Sequence, residues 1–208
     1  MELDACTADE GTLFAALSAC LAPRPVAVLS SASARGAVNL APFSSVMALS
    51  AWPPLVAVAL HPRRGGRRKT TLRNIESTGE FVVSLVDPAL LGESPPRLVA
   101  SVAVRPPRVA ASAVQLECRL REILRPRDAP VALVIGEVLW IHADDALLDR
   151  GALRPGRFRP PGHLGMAGRH THLFAAAGET LRIGPRRWAP QAKGRRLTGR
   201  GAGSHRGR

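Results

Sequence analysis

What most constrains the folding of this chain is a series of short apolar runs at residues 26–30, 55–60, 81–86 and 131–141. Each is rich in Val, Leu and Ile, and each is bounded by Gly, Pro, Asn or Asp. Runs this short, closed off by backbone breakers, read as buried strands. Residues 116–120 alternate instead, with Leu116, Cys118 and Leu120 facing one way and Glu117 and Arg119 the other, the pattern of a half-exposed strand. Residues 31–37, with Arg35-Gly36 at the tip, read as a hairpin turn. Helical patterning is confined to residues 12–21, with Leu13, Ala16, Leu17 and Cys20 on one face, and to residues 71–78, stopped by Gly79. Five or six strands with few helices between them favour an antiparallel barrel over a doubly wound sheet. At 208 residues and 46% hydrophobic, the chain can build one ordinary core and has no room for a second catalytic domain.

The net charge of +13 is unevenly spread. Residues 185–208 hold eight Lys or Arg and no acid, so more than half of the excess belongs to a tail too polar to offset its ordering entropy. This divides the chain into a domain at 1–184 and a basic tail at 185–208, expected to be disordered. The tail could touch nucleic acid or anionic lipid weakly. Only two of the 29 cations are Lys, which points instead to a coding bias toward Arg.

Cys6, Cys20 and Cys118 are an odd number without paired spacing, which argues against a disulfide framework or a structural zinc site and fits a reducing compartment. The apolar run at 13–22 is preceded by Glu2, Asp4, Asp9 and Glu10, where a secretory signal needs positive charge, and no other stretch is suited to span a bilayer. A cytoplasmic protein is expected. His163, His170 and His172 invite a metal reading, but no carboxylate or third ligand stands near the His-x-His pair, so no metal site is assigned. Trp52 and Trp140 are expected in the core or at an interface.

Residues 61–75 place six cations and no acid where a Gly-rich loop turns into a helix. Thr70 is the expected cap of a helix starting at Thr71, with Lys69 just outside its first turn. Such a start offers free backbone N–H groups, hydroxyls and a partial positive charge, which suits a phosphate dianion. The alternative is a solvated basic loop beside an ordinary helix. A Walker A loop is excluded, because Arg68 stands where that motif needs a Gly directly before the Lys. The G-x-x-G-x-x-G at 162–168 lacks the strand-turn-helix context of a dinucleotide fingerprint.

The order of segments then becomes recognisable: Pro23-Arg24-Pro25 with the strand to Ser30, Asn39-Leu40-Ala41-Pro42-Phe43-Ser44-Ser45, Pro53-Pro54-Leu55, Lys69-Thr70-Thr71-Leu72-Arg73-Asn74-Ile75, and Thr78-Gly79-Glu80-Phe81. Further pieces are Pro107-Arg108-Val109, Leu116-Glu117-Cys118, Ile135-Gly136-Glu137-Val138 and His163-Leu164-Gly165. Over residues 13–174 the chain resembles the flavin reductase-like family of FMN-binding split barrels.

That resemblance implies a mainly β protein with a few helices, folded as a split β-barrel and dimeric, with one FMN per protomer near the subunit interface. Asn39 and the segment containing Ala41, Pro42, Ser44 and Ser45 match the stretch lining the isoalloxazine ring. Lys69, Thr70, Thr71 and Asn74 match the phosphate and ribityl site. His163 is a candidate donor or shaping group on the nicotinamide side. The implied activity is that of an NAD(P)H-dependent flavin reductase, with NADH or NADPH as hydride donor. Two other readings remain at this point: a non-catalytic FMN-binding electron carrier, and a basic module that binds nucleic acid. The chain departs from the family at Thr70, where relatives usually carry Asp, at Ser84, where they carry Asn, and in a shorter connection over 87–104. The Tyr that often follows His163-Leu164-Gly165 is also missing.

Overall fold

The computed structural model describes residues 2–63, 65–86, 96–154, 157–167 and 171–175. The expected tail at 185–208, Trp188 and His170 lie outside them. Among the described residues the elements are α1 (Glu10–Cys20), β1 (Arg24–Pro25), β2 (Ala27–Ala32), β3 (Val38–Phe43), β4 (Val46–Ala51), β5 (Pro54–Leu60), α2 (Thr70–Thr78), β6 (Glu80–Leu85), β7 (Leu98–Val99), β8 (Arg108–Val109), β9 (Val114–Leu124), β10 (Ala132–Ala143), β11 (Leu148–Asp149), β12 (Ala152–Leu153), β13 (Gly162–Ala167) and β14 (Thr171–Ala175).

Seven strands form one antiparallel sheet in the order β3-β2-β6-β9-β10-β5-β4. Its two edge strands follow one another in sequence, joined only by Ser44 and Ser45. Laid flat, six gaps of about 4.8 Å would set those edges about 29 Å apart. Three Cα steps from Phe43 to Val46 reach at most about 11 Å. The sheet must therefore curl until β3 and β4 meet at an unpaired seam, which makes it a split barrel. A second sheet, β1-β13-β14, stands beside it.

The expected strands are all present, and the 31–37 hairpin joins β2 to β3 with Gly36 at φ 83°, where a side chain would be strained. The interior is filled by Leu29, Phe43, Val56, Val58, Leu60, Phe81, Val83, Cys118 and Val134, with Leu72 and Ile75 of α2 packed into the same cluster. Burial pushes the Cys118 thiol far up, so it is an inert core side chain.

Three expectations need correction. The first helix begins at Glu10 because the Asp9 carboxylate accepts from the Thr12 amide at 3.0 Å and so caps it two residues earlier than its apolar pattern suggests. Its apolar face is largely uncovered: Phe14 is 53% and Leu17 60% exposed, Cys20 is exposed, and Ser18 is the buried residue. Trp52, at 92% exposure, and Trp140, at 49%, are not core residues.

The third correction concerns Glu117. The alternation of β9 holds on the inner side, but Glu117 is fully buried on the outer side, because the chain at 96–112 folds back over that face. Its carboxylate accepts from the amides of Val102 (2.9 Å) and Ala103 (2.6 Å) and from His142 Nε2 at 2.7 Å, with Arg108 Nε 3.6 Å away. Arg108 also donates to Gln115 and to the Ala100 carbonyl. A buried carboxylate thus serves as a clasp for the 96–112 excursion, whose Val104 and Val109 are also buried. Burial by itself would raise the Glu117 pKa; the Val102 and Ala103 amides and His142 outweigh it and hold the carboxyl below its ordinary value.

Because the folded pKa is depressed, this stabilisation is fully present above the unfolded value of about 4.3 and is lost as the pH falls through the folded one. Glu117→Gln is expected to lower stability by roughly 1–3 kcal/mol at neutral pH, with the gap to wild type closing only below about pH 4 in urea titrations. In the barrel itself, a Cβ on Gly136 would come within 2.4 Å of Cζ of Phe81, a ring that is fully buried. Gly136→Ala should accordingly cost about 1–3 kcal/mol of overpacking, read as a drop in the urea midpoint without a change in slope.

Candidate functional site

The N-terminal turn of α2 meets the β2–β3 hairpin edge-on. Ser31 of β2 stands directly opposite Asn39 of β3 in the ladder. Thr71 and Asn74, three residues apart on one side of α2, are 1% and 7% exposed and face this pair. Asn39 Nδ2 donates to Thr71 Oγ1 at 3.0 Å and to Ser31 Oγ at 3.5 Å, while Asn74 Nδ2 donates to the same Ser31 hydroxyl at 3.2 Å. Four polar side chains from three elements therefore form one connected cluster on the outer end of the barrel core.

The helix starts one residue earlier than expected. Lys69, not Thr70, occupies the N-cap position, and because an ammonium has no acceptor, no side chain caps the first amides. Thr70 is the first helical residue and is half-buried; Arg73 Nη2 donates to its hydroxyl at 3.4 Å. Lys69 Nζ lies 5.2 Å from the centroid of Phe43, which ties the helix entrance to the end of β3. The two stretches singled out in the sequence, 39–45 and 69–74, are thus in contact. Around their contact stand uncapped amides, an ammonium and hydroxyls, with no carboxylate among the cluster residues.

Ser44 and Ser45 occupy the seam. Ser45 Oγ donates to the Ala59 carbonyl at 2.7 Å and the Ala59 amide donates back to the Ser45 carbonyl at 3.2 Å, so this hydroxyl is engaged in extending the β4–β5 pairing. Ser44 Oγ lies 3.1 Å from Nδ1 of His163, which is 8% exposed on β13. Ala41 and Pro42 run along β3 between the polar cluster and the seam, Ala41 packed against the core and Pro42 exposed.

Arg24 Nη2 is 2.8 Å from the same Nδ1, brought there by the register of β1 against β13, which sets Arg24 opposite His163. A guanidinium has no lone pair to offer, so Nδ1 must be the acceptor and the ring proton sits on Nε2. The His163 ring also packs on Phe174, centroids 5.4 Å apart. Sequence reasoning assigned no site role to Arg24 and did not single out Ser31. Nothing local marks either: the partner of Arg24 is 139 residues away, and Ser31 is defined only by what folds against it. No three metal-ligating side chains converge among the described residues.

The flavin reductase like domain family matches residues 19–161. The uncharacterized protein YwrF of Bacillus subtilis is 33% identical over 190 residues, which cover 80% of this chain and 90% of that protein. Among solved structures, nitrilotriacetate monooxygenase component B from Bacillus cereus superposes with a TM-score of 0.77 at 25% identity, over 88% of this chain and 98% of its own. The 2-nitrobenzoate 2-nitroreductase NbaA of Pseudomonas fluorescens gives 0.78 at 22% identity, covering 92% and 100%. The seam and the sheet order found here are those of a split barrel, and the chain belongs to the flavin reductase-like family.

Nitrogen NMR of labelled protein is expected to find the His163 ring as the Nε2–H tautomer, with the Nδ1 resonance shifting in Arg24→Gln. A proton on Nδ1 in the wild type would contradict the contact with Arg24.

Proposed function

We propose that this protein is a flavin-dependent oxidoreductase of the NAD(P)H:FMN reductase type. The observation that carries the reading is the uncapped entrance to α2 at Lys69, pressed against the Asn39–Phe43 strand and backed by Thr71 and Asn74. A phosphate monoester suits that donor set: amides, hydroxyls and an ammonium at one helix start, with the helix dipole favouring negative charge. When bound, FMN would supply the two-electron chemistry, accepting a hydride at its N5 from NADH or NADPH.

The work of the chain is then binding and orientation. Lys69, Thr70, Thr71 and Asn74 hold the phosphate and ribityl end. Asn39, held by Thr71 and Ser31, and the strand through Ala41 and Pro42 to Ser44 and Ser45 present backbone groups along the ring. His163, fixed by Arg24 and Ser44, borders the seam where a second planar ring could lie. Hydride transfer needs no acid-base pair, which agrees with the absence of one among these residues. A few charge-assisted hydrogen bonds of about 1.5–3 kcal/mol each, less desolvation, fall short of the roughly 8 kcal/mol of a micromolar complex, so coverage of the tricyclic ring must provide the rest.

We read that coverage as coming in part from a second copy of the chain. Phe14 and Leu17 of α1, Met47 and Leu49 of the edge strand β4, and Trp52 beyond it are all exposed apolar residues. An open sheet edge carrying large apolar side chains is a pairing surface. No helix among the described residues is long and apolar enough to cross a membrane.

FMN titration followed by flavin fluorescence tests the site. Lys69→Ala and Thr71→Ala should each weaken binding by about 1–3 kcal/mol, and unchanged affinity in both would remove the assignment. Anaerobic mixing with NADH or NADPH should bleach the bound flavin absorbance. A flavin that binds but does not bleach would make the protein a carrier.

A further inference from the structure

Beside the proposed FMN phosphate position lies a second cationic feature, whose four arginines the reading above does not use although it shares Thr70 with them. Arg63, Arg67, Arg68, Arg73 and Thr70 line an open surface cavity of about 280 Å³, and among the described residues no Asp or Glu lines it. Of the four guanidinium groups, Arg68 has an acidic partner, Glu76 at 3.3 Å, outside the cavity. Arg73 touches only the Thr70 hydroxyl within it. The loop turns through Gly65 and Gly66 at φ 77° and 73° and is closed by the Arg63 amide donating to the Arg67 carbonyl at 2.8 Å, and the four arginines border the same hollow.

Four like charges around one hollow repel each other even with solvent screening, and an anion in the hollow relieves that repulsion. Guanidinium favours phosphate because its planar fork donates two parallel N–H bonds to two oxygens. The volume approaches the lower end of the range for small-molecule sites, sufficient for a phosphate group with part of the sugar attached to it.

Its position says which phosphate. Thr70 and Thr71 are consecutive in the first turn of α2, their side chains about 100° apart. Thr71 is buried toward Asn39, within the site assigned to the FMN phosphate, whereas Thr70 lines the arginine cavity. A ligand with a single phosphate can fill the first position and leaves the second empty. We propose that the arginine cavity is a second phosphate subsite, filled by the phosphate that a dinucleotide carries beyond the single ester of FMN. Two ligands have that chemistry: FAD, through its adenylate phosphate, and NADPH, through its 2′-phosphate. The inference rests on the flavin reading above, since it takes Thr71 and Asn74 as the place of the first phosphate.

The test is calorimetric Kd measurement for riboflavin, FMN, FAD, NADH and NADPH with the purified protein and with the double variant Arg67→Gln/Arg73→Gln. In the wild type, FAD over FMN, or NADPH over NADH, should be favoured by about tenfold or more, and the double variant should bring that ratio to within about twofold. Loss of the FAD/FMN ratio assigns the cavity to the flavin dinucleotide, and loss of the NADPH/NADH ratio assigns it to the hydride donor. If both ratios are unaffected by the substitutions, the subsite is refuted. FMN binding no tighter than riboflavin in the wild type would instead overturn the underlying flavin site, so the two failures are distinguishable.

Discussion

The two-residue link at Ser44 and Ser45 is the constraint on which the rest of the molecule depends. It joins strands that lie at opposite edges of a seven-stranded sheet, and a chain that short can reach from one to the other only if the sheet curls. Closure in turn encloses the Leu29, Phe81 and Val134 interior. It also places the end of β3 beside the entrance to α2 and sets Ser44 against His163 from the second sheet. Closure therefore brings the residues of the candidate site together beside the seam where the barrel does not pair with itself.

Charge is arranged around the start of α2 in layers. Deepest are neutral amides and hydroxyls of Ser31, Asn39, Thr71 and Asn74, which satisfy one another and need no counterion. Outside them sit Lys69 and the uncapped helix amides, and beyond these the arginines of the 63–73 loop. Burying polar groups in the inner layer is tolerable because each has a partner, whereas the outer cations stay at the surface, where water solvates them. On the far side of the sheet the same economy appears with the opposite sign: Glu117 is fully buried, and amides and His142 satisfy it.

Legibility in the sequence varied with how local the cause was. The strands and the hairpin at Gly36 could be read because turn residues and β-branched runs act over a few positions. The proximity of 39–45 to 69–74 was legible only through resemblance, since no spacing rule brings them together. Glu117 was misjudged because alternation tells which face a side chain takes, not whether that face is covered. The α1 stripe of Leu13, Ala16 and Leu17 misled in the reverse sense: the pattern announces an apolar face, and in the single chain little folds over it. Ser45 was matched to the stretch lining the ring, and in the fold its hydroxyl donates to the Ala59 carbonyl.

By itself the sequence determined the antiparallel β character, the placement of a cation-rich loop before a helix ended by Gly79, and the lack of a nucleotide-binding P-loop. These follow from backbone preferences and charge, which are properties of neighbouring residues. Only the tertiary structure decided that β3 and β4 close a barrel, that Arg24 fixes the His163 tautomer, and that Glu117 clasps the 96–112 excursion. It also decided that Lys69, not Thr70, stands at the helix cap. Each of these is a contact between segments far apart in the chain, and such contacts are settled by which surfaces are left to be covered once the sheet has curled.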